Sequence, residues 1–331
     1  MRIAINGMGR IGRLLFRRLV GEKDITLVAI NDIMDSSNLA YLLKYDSLYG
    51  TWPEEIRYEE GSVHTCGQEV KVFRQTDPLL LDWAGMEVDI VLECSGRFSD
   101  LSGAQKHIKA GAQRVLLSTT GSSDIPLLIF GHNHKEDSRL QPIISPGGCM
   151  TNCSTHILYL LNSIGIESVQ MNILHSYTSR QELVDTAHPQ FRRGRAAAES
   201  IIPVEIDLAH SLERLLPLKD KIAAVSVRVP VTNGAMADIT VQMKEEVTKA
   251  QINHLLRRAA EGEYKGIIQY TEDPLVSADI KGNTHSCIID GSLTSVIGKQ
   301  VKIIAWFDNE YGFTSRMIDW VRYLSSNNQH Q

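Results

Sequence analysis

Arg2-Ile-Ala-Ile-Asn6-Gly7-Met8-Gly9-Arg10-Ile11-Gly12 opens the chain on a short aliphatic run that ends in three glycines spaced Gly-x-Gly-x-x-Gly. Residues 2–6 read as a buried strand and 11–20 as the helix that follows, so the glycines occupy the turn between them. In such a turn Gly7 allows a tight reversal, Gly9 lets a pyrophosphate approach backbone N–H groups at the helix N-terminus, and Gly12 lets the helix lie close to the strand. Asp32 stands 20 residues beyond Gly12, after a second aliphatic run at 25–30. A carboxylate there accepts from ribose hydroxyls and repels a 2′-phosphate, which predicts NAD rather than NADP. For the glycine motif alone, a turn without a ligand is the plain alternative. Strand, helix and Asp32 together favour a dinucleotide site built on Gly7, Gly9, Arg10, Ile11, Gly12 and Asp32.

The same rhythm continues outward, with a strand at 88–93, a helix at 103–110 and a strand at 114–118. Short aliphatic runs alternating with helical patterns predict an α/β, doubly wound parallel sheet of the Rossmann type over residues 1–148. Beyond 148 the strands are longer and alternate in polarity, as at 223–229, 236–244 and 301–307. That pattern predicts an α+β domain over 149–313, with a mixed or antiparallel sheet exposed on one face. Met317, Trp320, Val321 and Leu324 recur at helical spacing, so residues 314–331 are expected to form a helix that buries this stripe.

Composition sets the outer bounds. The chain has 331 residues, 43% hydrophobic and 22% charged with ten prolines, which suits a globular protein of about two domains. A net charge of -5 supplies no field to draw it onto nucleic acid or an anionic membrane, so neither is expected as its main partner. No signal-like or membrane-spanning apolar run follows Met1, and a cytoplasmic location is expected. The five cysteines are scattered, odd in number and outside any CxxC pair, which argues against a disulfide framework and leaves a nucleophile as the interesting possibility.

Ser145-Pro-Gly-Gly-Cys149-Met-Thr-Asn152-Cys153 leads into a helical pattern of Ile157, Leu158, Leu160 and Leu161. Cys149 is thereby placed at a helix N-terminus, where the dipole and free N–H groups should hold a thiol below its usual value of about 8.5. A buried packing cysteine is the bland alternative. A metal set of Cys149, Cys153 and His156 fits no established zinc spacing, so no metal is expected.

Seven segments now resemble, in chain order, the signatures of the glyceraldehyde-3-phosphate dehydrogenase family. They are the glycine turn, Leu-Leu-Lys44-Tyr-Asp46-Ser, Cys149-Met-Thr-Asn-Cys153, His175-Ser-Tyr-Thr178, Arg192-Arg193-Gly-Arg195-Ala-Ala, Val-Arg228-Val-Pro and Trp-Phe-Asp-Asn309-Glu-Tyr-Gly. The resemblance runs end to end. A sister branch, erythrose-4-phosphate dehydrogenase, is also similar, through Ser200-Ile-Ile-Pro-Val and Asp290-Gly-Ser-Leu-Thr. The resemblance implies NAD-dependent oxidation of a phosphorylated aldehyde through a cysteine thioester, in a homotetramer, with the C-terminal helix completing the cofactor domain. It implies Cys149 as nucleophile and His175 as its base, and Asn309, Ser95 and Ser118 at the cofactor. Thr178 and Arg228 would hold the substrate's phosphate, and Arg193 a further anion. From sequence alone His175 reads rather as a core histidine at the end of a strand at 169–174, and Arg193 as part of a solvated basic face.

The chain departs from the family where inorganic phosphate meets the thioester. Gly148 and Met150 stand where the family has hydroxyl residues flanking the cysteine, and Ile206-Asp207 replaces a Thr-Gly pair. Lost donors and an added carboxylate predict weak phosphate binding. Ser179-Arg180 stands where the family has Asn-Asp, and Arg180 either supplies a replacement cation or faces solvent. Hydrolysis to a free acid is the rival within the fold. A binding protein that has lost its chemistry is the rival of another class, against which Cys149, His175 and Asn309 all stand.

Overall fold

The computed structural model describes residues 1–59, 61–136 and 140–328. Its contacts divide into two compact units, Met1–Gly148 with Thr314–Gln331, and Cys149–Phe313.

In the first unit β1 (Arg2–Asn6) is the central strand, with β2 (Thr26–Asn31) parallel on one side and β6 (Ile90–Glu93) parallel on the other. The chain leaves β1 through the glycine turn into α1 (Arg10–Leu19). α2 (Ser36–Lys44), capped by the Asp35 carboxylate, follows β2. β3 (Arg57–Glu59), β4 (Ser62–Thr65), β5 (Gln68–Phe73), α3 (Leu101–Lys109), β7 (Arg114–Leu117) and β8 (Ile143–Ile144) complete the set, in the order β3-β4-β5-β2-β1-β6-β7-β8. The strand order reverses about β1, and in open α/β sheets ligands bind at the carboxyl ends of strands at such a switch point.

The sheet is not parallel throughout, as the opening half of the sequence had suggested. β3, β4 and β5 form an antiparallel meander at one edge, with β5 rejoining the parallel order against β2. All three residues of β3 are exposed, so no buried face imprinted a periodic signal. Two glycines have structural necessity here. A Cβ on Gly7, whose φ is +95°, would lie 2.4 Å from the Ser95 backbone nitrogen, and one on Gly12 would lie 2.0 Å from the Gly7 carbonyl. Turn, helix and β6 therefore close on one another only without side chains at these points.

The second unit contains a mixed sheet in the order β10-β11-β9-β12-β15-β14-β13. Its strands are β9 (Ile166–Ser176), β10 (Ile202–Val204), β11 (Ile222–Val229), β12 (Ala235–Met243), β13 (Ile268–Thr271), β14 (Cys287–Ile297) and β15 (Gln300–Phe307). β12 alternates buried and half-buried residues along its length, the pattern of a sheet with one covered face. Helices α4 (Cys149–Asn162), α5 (Leu208–Glu213) and α6 (Lys249–Glu261) belong to this unit, α6 starting with a Thr248/Gln251 capping box. β9 extends past the 169–174 expected from sequence, so His175 lies within a paired strand rather than beyond one.

The last helix, α7 (Tyr311–Asn328), starts three residues earlier than expected and belongs to the first unit from Thr314 onward. Met317, Trp320, Val321 and Leu324 are all buried, and Trp320 meets Phe130 edge-on. Replacing Trp320 by Ala should cost about 3–5 kcal/mol of stability, measured as a lowered denaturation midpoint. A midpoint unchanged from the parent would contradict the docking of this helix.

Candidate active site

In the first unit the glycine turn is held by side chains from below. The Asp32 carboxylate accepts from the Met8 N–H at 2.6 Å and from the Met34 N–H at 2.8 Å. It thus fixes the turn as well as standing where ribose hydroxyls are expected. Arg10 makes a two-point contact with Asp46, at 2.5 and 3.2 Å, so its guanidinium ties α1 to the chain after α2. What Arg10 and Ile11 can offer a pyrophosphate is their backbone N–H groups in the first turn of α1, which has no side-chain cap. A Cβ on Gly9 would meet nothing within 4 Å, so the space in front of this helix end is open, as a bound pyrophosphate needs. Ser95 and Ser118 lie just past the ends of β6 and β7, and the Ser118 N–H donates to the Glu93 carbonyl at 2.9 Å.

In the second unit Cys149 is the first residue of α4, and its Sγ lies 3.7 Å from Nε2 of His175. The Nδ1 of His175 contacts the Ser176 carbonyl at 2.7 Å. A carbonyl only accepts, so Nδ1 carries the proton and Nε2 presents its lone pair to the thiol. Burial, and after it the Arg228 guanidinium, pushes the imidazole down to about 3, so the ring is neutral and able to take a proton throughout the physiological range.

The thiol differs from the sequence expectation. Burial raises Cys149 to about 11, against the opposing pull of Arg228 and of the Met150 and Cys149 backbone N–H groups. The helix N-terminus acts in the expected direction, but desolvation of the thiolate outweighs it. The resting pair is therefore a neutral thiol beside a neutral imidazole.

Arg228 sits on β11 in register with His175 and is buried. Its Nη1 donates to the Ser176 carbonyl at 3.3 Å, and its Nε has no partner. Arg193 is buried too, not part of a solvated face. Its Nε donates to Gln190, and its Nη1 has no partner. The charge of Arg180 bears on both arginines, lowering Arg193 after the larger effect of burial and lowering Arg228 more weakly than burial and Arg193 do. The structure thus brings Arg180, Arg193 and Arg228 into one cationic group. Thr178, just past β9, donates its hydroxyl to Gln181 Oε1 at 3.1 Å. Asn309 accepts from the Gly234 N–H at 3.0 Å and the Ser176 hydroxyl at 3.2 Å through Oδ1, which leaves its NH2 as the donor for a ligand carbonyl.

Sequence reasoning missed Gln181, which holds Thr178 through Oε1 and whose buried Nε2 has no partner, and Glu93, a buried carboxylate under Ser95. The only sequence signal for Glu93 was a charge ending an aliphatic run. Among the described residues no cluster of three or more His, Cys, Asp or Glu is placed to hold a metal ion, and no helix is long and apolar enough to cross a membrane.

Fold and site together define an NAD-dependent oxidoreductase. Residues 1–101 match the family model described as glyceraldehyde 3-phosphate dehydrogenase, NAD binding domain, and residues 148–309 match the C-terminal domain of the same family. Curated relatives cover nearly the full length. The chain is 42% identical over 334 residues to glyceraldehyde-3-phosphate dehydrogenase of Borreliella burgdorferi, covering 98% of this chain and 99% of that one. It is 41% identical to that of Geobacillus stearothermophilus and 40% identical to glyceraldehyde-3-phosphate dehydrogenase 1 of Bacillus cereus, covering 98% of each chain in both cases. The chain belongs to the glyceraldehyde 3-phosphate dehydrogenase family.

Two outcomes follow from this geometry. Calorimetry should show NAD bound in preference to NADP, and Asp32→Ala should weaken NAD binding and narrow that preference. Equal binding of both cofactors by the parent would contradict the role given to the carboxylate. Brief alkylation should label Cys149 ahead of Cys94, Cys153 and Cys287, and faster as pH rises, because its thiol lies above neutrality. His175→Asn should slow that labelling at neutral pH by at least about tenfold, with the gap closing toward pH 10 as hydroxide replaces the base. A gap that persists there, or none at neutral pH, would remove His175 from thiol activation.

Proposed function

We propose that the chain oxidises glyceraldehyde 3-phosphate with NAD, through a thioester on Cys149. The observation that carries this reading is the 3.7 Å approach of the Cys149 thiol to an imidazole nitrogen whose partner nitrogen is locked as a donor. As sulfur adds to the aldehyde carbon, Nε2 of His175 takes the thiol proton and returns it to the carbonyl oxygen, giving a hemithioacetal. Nε2 then takes the hydroxyl proton while the C–H bond gives up its electron pair, leaving the thioester. Bound NAD supplies the acceptor for that hydride. Asn309, with its amide orientation fixed, is suited to hold the nicotinamide carboxamide, and Gly7, Gly9, Arg10, Ile11, Gly12, Asp32, Ser95 and Ser118 are assigned to the rest of the cofactor. Arg228 and Thr178 are assigned to the substrate phosphate, a role that requires the Thr178 hydroxyl to turn from Gln181. NADH formation from glyceraldehyde 3-phosphate, abolished in Cys149→Ser, tests the reading.

The acyl acceptor in this reading is inorganic phosphate, weakly held. Met150 lies in the first turn of α4, and the exposed Asp207 caps nothing at the start of α5. Two missing charge-assisted hydrogen bonds at about 1.5–3 kcal/mol each amount to roughly a hundredfold or more in affinity. Arg180 offsets part of this by adding its charge to Arg193. A cytoplasmic homotetramer belongs to the same proposal. Leu183, Val184, Phe191 and Ile201 support it, as large apolar residues exposed within one short stretch of chain.

NADH production should rise gradually as phosphate goes from zero to tens of millimolar. Arg180→Ala should raise the phosphate KM further, and Met150→Thr with Ile206→Thr and Asp207→Gly should lower it without altering NAD affinity. Saturation at low millimolar phosphate in the parent would overturn the weak site. A flat response with free acid as product would assign water as the acceptor.

A further inference from the structure

Glu93 ends β6 with only about 2% of its surface exposed, and four donors converge on its carboxylate. Oε1 accepts from the Ser95 N–H at 2.7 Å and the Ser95 hydroxyl at 2.5 Å. Oε2 accepts from the Asn6 amide at 2.5 Å and contacts Nε2 of His107 at 2.9 Å. Trp83 fixes the state of that histidine. Its indole N–H can only donate, and it lies 2.9 Å from Nδ1 of His107, so Nδ1 is the acceptor and the single ring proton sits on Nε2, facing Glu93. His107, fully buried, is thereby held neutral, and among the described residues no Lys or Arg pairs with Glu93. A carboxylate with four donors and no counter-ion remains beneath the glycine turn.

The network continues into the cofactor cradle. Asn6 accepts from the Asn31 amide at 2.7 Å, and Asn31 in turn anchors the Gln75 backbone on both sides. The Gly7 N–H donates to the Asn31 carbonyl at 2.8 Å, and the Cys94 N–H to the Asn6 carbonyl at 2.7 Å. Glu93 thus holds together the carboxyl ends of β1, β2 and β6 at the switch point of the sheet. A buried unpaired charge is costly. A neutral glutamine could not replace it evenly, because its NH2 would face either the Asn6 and His107 donors or the Ser95 N–H.

We propose that Glu93 is a positioning residue of the cofactor site: through Asn6 and Ser95 it orders the glycine turn, and its uncompensated charge favours the oxidised cofactor, whose nicotinamide is a cation, over the neutral reduced form. This rests on reading the chain as an NAD enzyme. At an effective dielectric of about 20, one unit charge acting on another within a binding site changes an equilibrium by roughly tenfold, which sets the size of the effect.

The experiment measures binding of NAD and NADH separately, by calorimetry on the full chain. In Glu93→Gln, NAD affinity should fall about tenfold more than NADH affinity. Glu93→Asp keeps the charge with a shorter reach and should weaken both cofactors while leaving their ratio unchanged. Trp83→Phe frees the His107 tautomer, keeps the charge, and should also leave the ratio unchanged. An unchanged ratio in Glu93→Gln overturns the proposal. If Glu93→Gln does not fold, a ratio shift of similar size in Glu93→Asp or Trp83→Phe overturns it, because both retain the charge. Failure of the parent chain to bind either cofactor would instead overturn the reading of the protein as an NAD enzyme.

Discussion

The register of β9 between its two neighbours governs the chemistry of the second unit. His175 is opposite Arg228 on parallel β11 and opposite Ala235 on antiparallel β12. Successive side chains on a strand alternate faces, so a slip of one residue would turn His175 away from Cys149 and reverse its relation to Arg228. The same register places the Ser176 carbonyl where it accepts from both His175 Nδ1 and Arg228 Nη1. Ser176 also donates its hydroxyl to Asn309, and Asn309 accepts from Gly234, next to Ala235. Imidazole and guanidinium are thus set by backbone pairing, and the amide by donors from the ends of the same strands. The placement of His175 is rigid, because shifting it would break ladder hydrogen bonds on both sides of β9.

The two sites handle charge in opposite ways. Around the glycine turn the charged groups are matched: Arg10 has Asp46, Asp32 has two N–H donors, and Glu93 has four donors. In the second, the nitrogens Arg228 Nε, Arg193 Nη1 and Gln181 Nε2 are buried without partners. Orphaned donors cost free energy that folding alone does not recover. In the proposed function an anion supplies acceptors to the arginine nitrogens, so what destabilises the free protein becomes affinity for a phosphorylated substrate. Arg228 shows the strain directly, since burial and its two arginine neighbours bring it down to about 10 despite the opposing effect of Cys149.

Much of the first unit was legible because its signals are local. Glycines at fixed spacing, an acid at the end of the next strand and aliphatic runs bounded by turns each report their own surroundings. The meander at 57–73 left no such trace, because exposed strands such as β3 carry no apolar alternation. Cys149 was visible as a helix-start cysteine, but the position of its titration was not. The dipole is a property of the helix, whereas the desolvation that overrides it comes from residues far apart in sequence. Arg193 stayed ambiguous in sequence for the same reason, because a run of arginines reads as solvated until tertiary packing buries one of them. His175 gained a role only through resemblance, since nothing in its own segment distinguishes a catalytic base from a core histidine. Glu93 was hidden in plain view, as an ordinary strand end whose four donors come from three separate segments.

In the proposed function Arg228 links substrate binding to the protonation of the Cys149–His175 pair. In the free enzyme its charge lowers the imidazole and opposes the burial that raises the thiol. Both effects are coulombic, so both weaken when a dianion neutralises the guanidinium. The imidazole then becomes the stronger base at the stage when the hemithioacetal hydroxyl must lose its proton. The thiolate loses stabilisation at the same time, which matters little once its sulfur is bonded to carbon. The free enzyme therefore rests as a neutral pair, and in the proposed function an aldehyde bearing a phosphate offsets the smaller, Arg228 part of the lowering of His175, the larger part coming from burial. In the proposed function Arg228 therefore bears on the acid–base step as well as on phosphate binding, and the in-register pairing of β9 with β11 is what puts it beside His175.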